Sequence, residues 1–162
     1  MTHALHDPVR HNAWANTHIL AYCRGLDAQT LNTTVPGTYG TIMATLRHTI
    51  HCEIDSLDRL LGQEPSNPWQ MGETTGLDAL MAHATRLTTD WETFLASAVD
   101  DERPLPPDEG IHPIPAGIVI AVVLYHGSEH RGQVCTILGA LGHEPPDLTP
   151  WAYAFATGRM RE

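Results

Sequence analysis

Basic residues are scarce in this chain. Nine Lys and Arg stand against nineteen Asp and Glu, a formal charge of −10. Such a field repels phosphate backbones, and no basic cluster offsets it locally, so nucleic acid and anionic membrane surfaces are disfavoured as partners. Cysteine is also sparse. Cys23, Cys52 and Cys135 are odd in number and far apart, which argues against a disulfide framework and fits a reducing compartment. No CxxC pair occurs, so a thiolate zinc site has no support. The stretch Met1 to Asp7 lacks the basic and apolar regions of a signal peptide. The longest apolar run, Ala116 to Tyr125, is too short to span a bilayer. A cytoplasmic location is the expectation.

What is present is helical. The 162 residues suit one domain, 1–162, and 42% hydrophobic content is enough for a real core. Asp7-Pro8 reads as an N-cap and first helical residue, opening a helix that runs to about Arg24 and closes at Gly25. A polar linker, Asp27 to Gly40, carries the turn pair Pro36-Gly37. A second helix is expected from Thr41 to Leu61, with Gly62 as its left-handed cap. Pro65, Pro68 and Gly72 punctuate the next loop, and a third helix is expected from Leu77 to Val99. The acidic, five-proline stretch from Asp100 to Pro115 cannot be helical; Ile111 and Ile114 suit a short extended hairpin. A fourth helix follows from Ala116 to Leu141, stopped by Gly142, and Thr149-Pro150 caps a short last helix to Phe155. The pattern predicts an all-α fold: a four-helix bundle with long loops and a short C-terminal helix.

The chemistry is concentrated in the fourth helix. His126 and His130 lie four residues apart, so they share a helix face and can bind one metal ion side by side. Val119, Val122, Val123, His126, His130, Val134, Ile137 and Leu141 recur at steps of three and four, which directs both rings toward the core. The other histidines are less telling: of the eleven, His3, His6 and His112 fall in tails or loops.

The second helix supplies the third ligand. Its aliphatic stripe is Ile42, Leu46, Ile50, Ile54, Leu57 and Leu61, and the opposite arc is Arg47, His51, Asp55 and Asp58. His51, amid that charged arc, is expected to be exposed. His48 shares a small, uncharged line with Thr41, Thr45 and Cys52. The pattern prefers His48 and leaves His51 open. Three imidazoles leave coordination positions for water or substrate, whereas structural zinc sites are closed by four protein ligands. Neutral nitrogen donors suit a divalent transition metal, zinc or nickel first, with iron, copper and manganese also compatible. Glu53, Glu129 and Asn16 are candidates to orient the rings.

Three segments resemble the DinB-like family. His126-Gly-Ser-Glu-His130-Arg-Gly-Gln133 is similar to its fourth-helix signature, two histidines four apart followed by Arg-Gly-Gln. His11-Asn-Ala-Trp14-Ala-Asn16 is similar to its first helix, and Gly40 to Ile50, with Glu53 beyond, to its second. Gly142-His-Glu-Pro-Pro-Asp147 fits the family's ending. The chain departs from common family residues at Tyr125, Glu129 and Val122. The resemblance implies a four-helix bundle with a three-histidine metal site, carried over to His48, His126 and His130. It also implies a homodimer. Characterised relatives include transferases and isomerases that use low-molecular-weight thiols, so a small thiol and a small electrophilic substrate are the implied partners.

Three readings follow. In the first, the metal activates a thiol for transfer to a small electrophile. In the second, the metal locks the helices of a non-catalytic stress-response or interaction module. The third takes His126-Gly-Ser-Glu129-His130 as the H-x-x-E-H motif of inverted zinc peptidases. It is disfavoured, because only Glu144 and Glu162 follow as a possible third ligand. Arg131 is expected to point away from the site and pair with acidic loops. Gln133 either steadies a metal-bound water or bridges helices, and Cys52 reads as a buried structural thiol.

Overall fold

Amphipathic helices dominate the computed structural model, which describes residues 4–64, 66, 75–97, 99–106 and 113–160. Among these, the elements are α1 (His6–Cys23), α2 (Ala28–Leu31), α3 (Ile42–Leu61), α4 (Leu77–Ala96), β1 (Pro104–Leu105), β2 (Ile114–Pro115), α5 (Ala116–Ala140) and α6 (Pro150–Ala156). The turn residues Pro65, Pro68 and Gly72, and Ile111, lie outside the described residues.

α3 packs on α4 and α5, and α1 packs on the same two helices. This order places α1 opposite α3 and α4 opposite α5 across the bundle. Both diagonal crossings, α1 to α3 and α4 to α5, use long connections. The core runs down the middle, through Val9, Leu20, Ile50, Leu57, Trp91 and Ile137.

The caps follow the sequence closely. The Thr41 hydroxyl accepts the Ala44 N–H to start α3, and Thr149 accepts the Ala152 N–H to start α6. Gly62 (φ 71°) and Gly142 (φ 79°) adopt the left-handed conformation that ends α3 and α5. The α1 start differs from expectation. Leu5, not Asp7, is the N-cap, and Pro8 sits within the first turn, where its missing N–H costs no helical bond. α4 stops at Ala96, short of Val99. The polar linker also contains α2, nucleated by Asp27, whose carboxylate accepts the Thr30 N–H at 2.7 Å.

The proline-rich connection forms the two-stranded antiparallel hairpin, with Leu105 opposite Ile114 and Leu105 buried. Arg103 donates to the Leu60 carbonyl at 2.6 Å and Arg59 to the Pro106 carbonyl at 2.7 Å, so the hairpin is tied to the end of α3. Among the described residues, no helix is long and apolar enough to cross a membrane.

Candidate metal centre

α3 and α5 meet along an extensive interface, and the histidine cluster sits there. His48 on α3 and His126 and His130 on α5 bring one ligand atom each within 4.8 Å of one another. His126 Nε2 and His48 Nε2 are 2.9 Å apart, so one ring carries the proton that joins them. The ring centroids lie 4.8 Å (His48–His126), 4.9 Å (His48–His130) and 4.3 Å (His126–His130) apart. Nitrogens sharing one ion through bonds of about 2.0–2.1 Å are at most about 4.2 Å apart. The cluster therefore fits such an ion after side-chain shifts of roughly half an ångström.

The electrostatics favour the neutral form of His48 and His126. Burial pushes His126 down to about 4, with His130 and His48 adding repulsion. Burial also lowers His48, again with His130 beside it. Neutral imidazole is the form that ligates a metal.

Two further residues shape the cluster. The His130 Nδ1–H donates to Gln133 Oε1 at 3.0 Å, which leaves Nε2 as that ring's free lone pair. The same oxygen accepts the Tyr39 N–H at 3.0 Å. Tyr39 then stacks on His48 at 4.2 Å and meets His130 edge-on at 5.2 Å. The sequence suggested Gln133 as a holder of metal-bound water or a helix bridge, not as the partner of His130 and Tyr39, and it did not single out Tyr39, which lies in the linker before α3. Its one local signal is Pro36-Gly37: Gly37 (φ 89°) and the Thr38 N–H to Val35 carbonyl bond make the tight turn that delivers Tyr39.

Several expectations need correction. His51 is buried, not exposed, because α4 covers the charged arc of α3. On that arc Arg47 is tied to the Thr75 carbonyl, and Asp58 accepts from Ser66. Val122 (54% exposed) and Leu141 (41%) leave the α5 core face, which instead includes Ile120, Gly127 and Arg131. Glu129 is exposed, which removes the support for the peptidase reading. Cys52 Sγ lies 3.6 Å from His48 Nδ1; burial, then Asp55, raises its thiol to about 11, so it is neither thiolate nor nucleophile at neutral pH.

Glu53 and Asn16 do not orient the rings. They belong to a buried network that joins four helices. Glu53 Oε2 accepts from Asn12 Nδ2 at 3.0 Å and Asn16 Nδ2 at 2.7 Å, and Oε1 accepts from Trp91 Nε1 at 2.7 Å. Arg131 Nη1 donates to Asn12 Oδ1 at 2.9 Å and Asn16 Oδ1 at 2.6 Å. Two amides thus relay between a buried carboxylate and a buried guanidinium. Burial raises the Glu53 carboxyl, against its three hydrogen bonds and the charge of Arg131, and pushes Arg131 down to about 10.

A cleft of about 310 Å³ opens beside His126, between α3 and α5. Thr49, Cys52 and Ser56 line its α3 side, and Ile118, Val122 and Val123 its α5 side.

The chain is thus an all-α bundle in which three histidines converge from two facing helices as a candidate metal site. The profile of the DinB family matches residues 1–161, and the chain belongs to that family. A comparison with curated proteins gives no match.

Proposed function

We propose that this DinB-family chain is a metalloprotein in which His48, His126 and His130 hold one divalent transition metal, zinc or nickel first. The observation that carries the reading is the convergence of three depressed or orienter-held imidazoles on one point. A metal held there supplies a Lewis acid that lowers the pKa of a bound low-molecular-weight thiol. The site leaves room for such a ligand, because the protein supplies three nitrogens rather than four. The cleft beside His126 presents an aliphatic wall, Val119 and Val123, and a small polar floor, which suits a small electrophile. Thiol-dependent consumption of model electrophiles, abolished by His126→Ala, is the test. A panel with no rate above the uncatalysed thiol reaction would refute the transferase reading.

One observation favours the non-catalytic alternative. Tyr39 stacks on His48 and is pinned through Gln133, so the metal in that reading serves to lock α3, α5 and the preceding linker. Ligand substitution would then lower the melting temperature sharply while no small molecule perturbed the metal spectrum.

We further read 1–162 as one cytoplasmic domain that does not bind nucleic acid, in line with its charge of −10. We also infer a homodimer. Ile118, Val122 and Tyr125 form an exposed stripe on α5 at steps of four and three, and a second copy would cover it. Sedimentation of wild type beside Tyr125→Glu checks this.

A further inference from the structure

The buried network leaves Arg131 incompletely used. Arg131 is 5% exposed, and its Nη1 serves both asparagines. Its Nε and Nη2 have no acceptor among the described residues. Nor are they sealed: His51 Nε2 is the one sealed, unpartnered side-chain N or O atom among those residues. The free edge of the guanidinium therefore borders accessible space. Arg131 lies on the wall of a cavity of about 430 Å³ between α1, α5 and α6, which adjoins a second of about 440 Å³ between α5 and the loop before α6.

The other walls suit an organic acid. Pro8, Leu124, Pro150 and Ala154 are apolar, while the hydroxyls of Ser128 and Tyr153 have no partner among the described residues. Asp7, the one acidic wall residue, is ion-paired with Arg159. The Nε–Nη2 edge is the side-on fork that carboxylates prefer. This chain uses that edge once already: Arg10 Nε and Nη2 grip Glu92 at 2.6 and 2.8 Å. Small-ligand sites are mostly apolar cavities of about 300–1,000 Å³ with few fixed polar groups, as here.

We propose that this cavity is a second ligand site, separate from the histidine cluster, which binds a small carboxylic acid with an apolar body. The carboxylate pairs with the Nε–Nη2 edge of Arg131, and the apolar body lies against Leu124, Pro150 and Ala154. The acid would complete the compensation of a guanidinium that the bundle leaves partly unmet.

Calorimetric titration with benzoate, hexanoate, benzyl alcohol and inorganic phosphate tests the assignment. Because Arg131 also holds Asn12 and Asn16, substituting it perturbs the bundle. The test rests instead on Ser128→Trp, an exposed position that narrows the cavity and removes no bond of the network. The expected result is saturable binding of the acids and not of the alcohol. That binding should be weakened about tenfold or more in Ser128→Trp and unchanged in His126→Ala. No saturable binding, binding indifferent to Ser128→Trp, or binding lost in His126→Ala would overturn the site. Phosphate bound as tightly as benzoate would overturn the ligand class.

Discussion

Gly127 shows how closely single residues are constrained here. A Cβ at this position would lie 2.6 Å from Asn12 Oδ1 and 2.8 Å from Arg131 Nη1. An alanine in a helix interior gains about 0.5–1 kcal/mol over glycine. Overpacking a filled site costs about 1–3 kcal/mol, so the clash wins. Gly127→Ala should therefore lower the denaturation midpoint, and an unchanged or raised midpoint would show that the network can yield. The sequence displayed Gly127 only as a spacer between two histidines. One of those neighbours, Asn12, comes from α1 at the far end of the sequence, and helical periodicity carries no such information. The histidine cluster was legible because two of its members share one helix face. His48 was legible only by preference over His51, until the segment resemblance favoured it. Tyr39 was not legible, since its place depends on the path of a linker.

At the scale of elements, the instructive case is α3. Its aliphatic stripe is buried as the spacing predicted, apart from a half-exposed Leu61. Its charged arc looked like a solvent face because one helical wheel shows polarity and not the number of neighbours. α3 has two long-helix neighbours, α4 and α5, so its arc is covered too. His51 and His83 meet there, between α3 and α4, with ring centroids 6.5 Å apart. Burial lowers both below the ordinary 6.5; His83 and Arg47 add to the effect on His51, and Arg86 to that on His83. The unfolded chain therefore takes up these protons first. Their contribution to stability is full above pH 6.5 and is lost as pH falls toward their folded values. His126, held at about 4, acts in the same direction. The melting temperature of chelator-treated protein should fall between pH 7 and pH 5, less steeply in His51→Gln. A flat profile would contradict the burial of these rings.

For the whole molecule, the Glu53 network joins α1, α3, α4 and α5 at one point, and the histidine cluster joins α3 to α5 at another. Asn12, Asn16, Glu53 and Arg131 all fall in segments that resemble the family, and their hydrogen bonds hold the bundle together. Removing one partner of a buried charge pair costs about 3–5 kcal/mol, because the other charge stays buried. Glu53→Gln also turns an amide donor toward groups that only donate. It should destabilise the fold by about that amount in urea titration, and a loss under about 1 kcal/mol would mean that Arg131 is not compensated by Glu53. The fold class was readable from composition, periodicity and caps, whereas the diagonal order of the helices was not, since it is decided by packing between distant segments. The central claim concerns the second junction, and metal content tests it most directly. Protein purified without an affinity tag should carry about one transition-metal ion per chain, lost in His126→Ala. Wild-type protein that carries no metal and takes up none on addition would contradict the site, and with it the function proposed here.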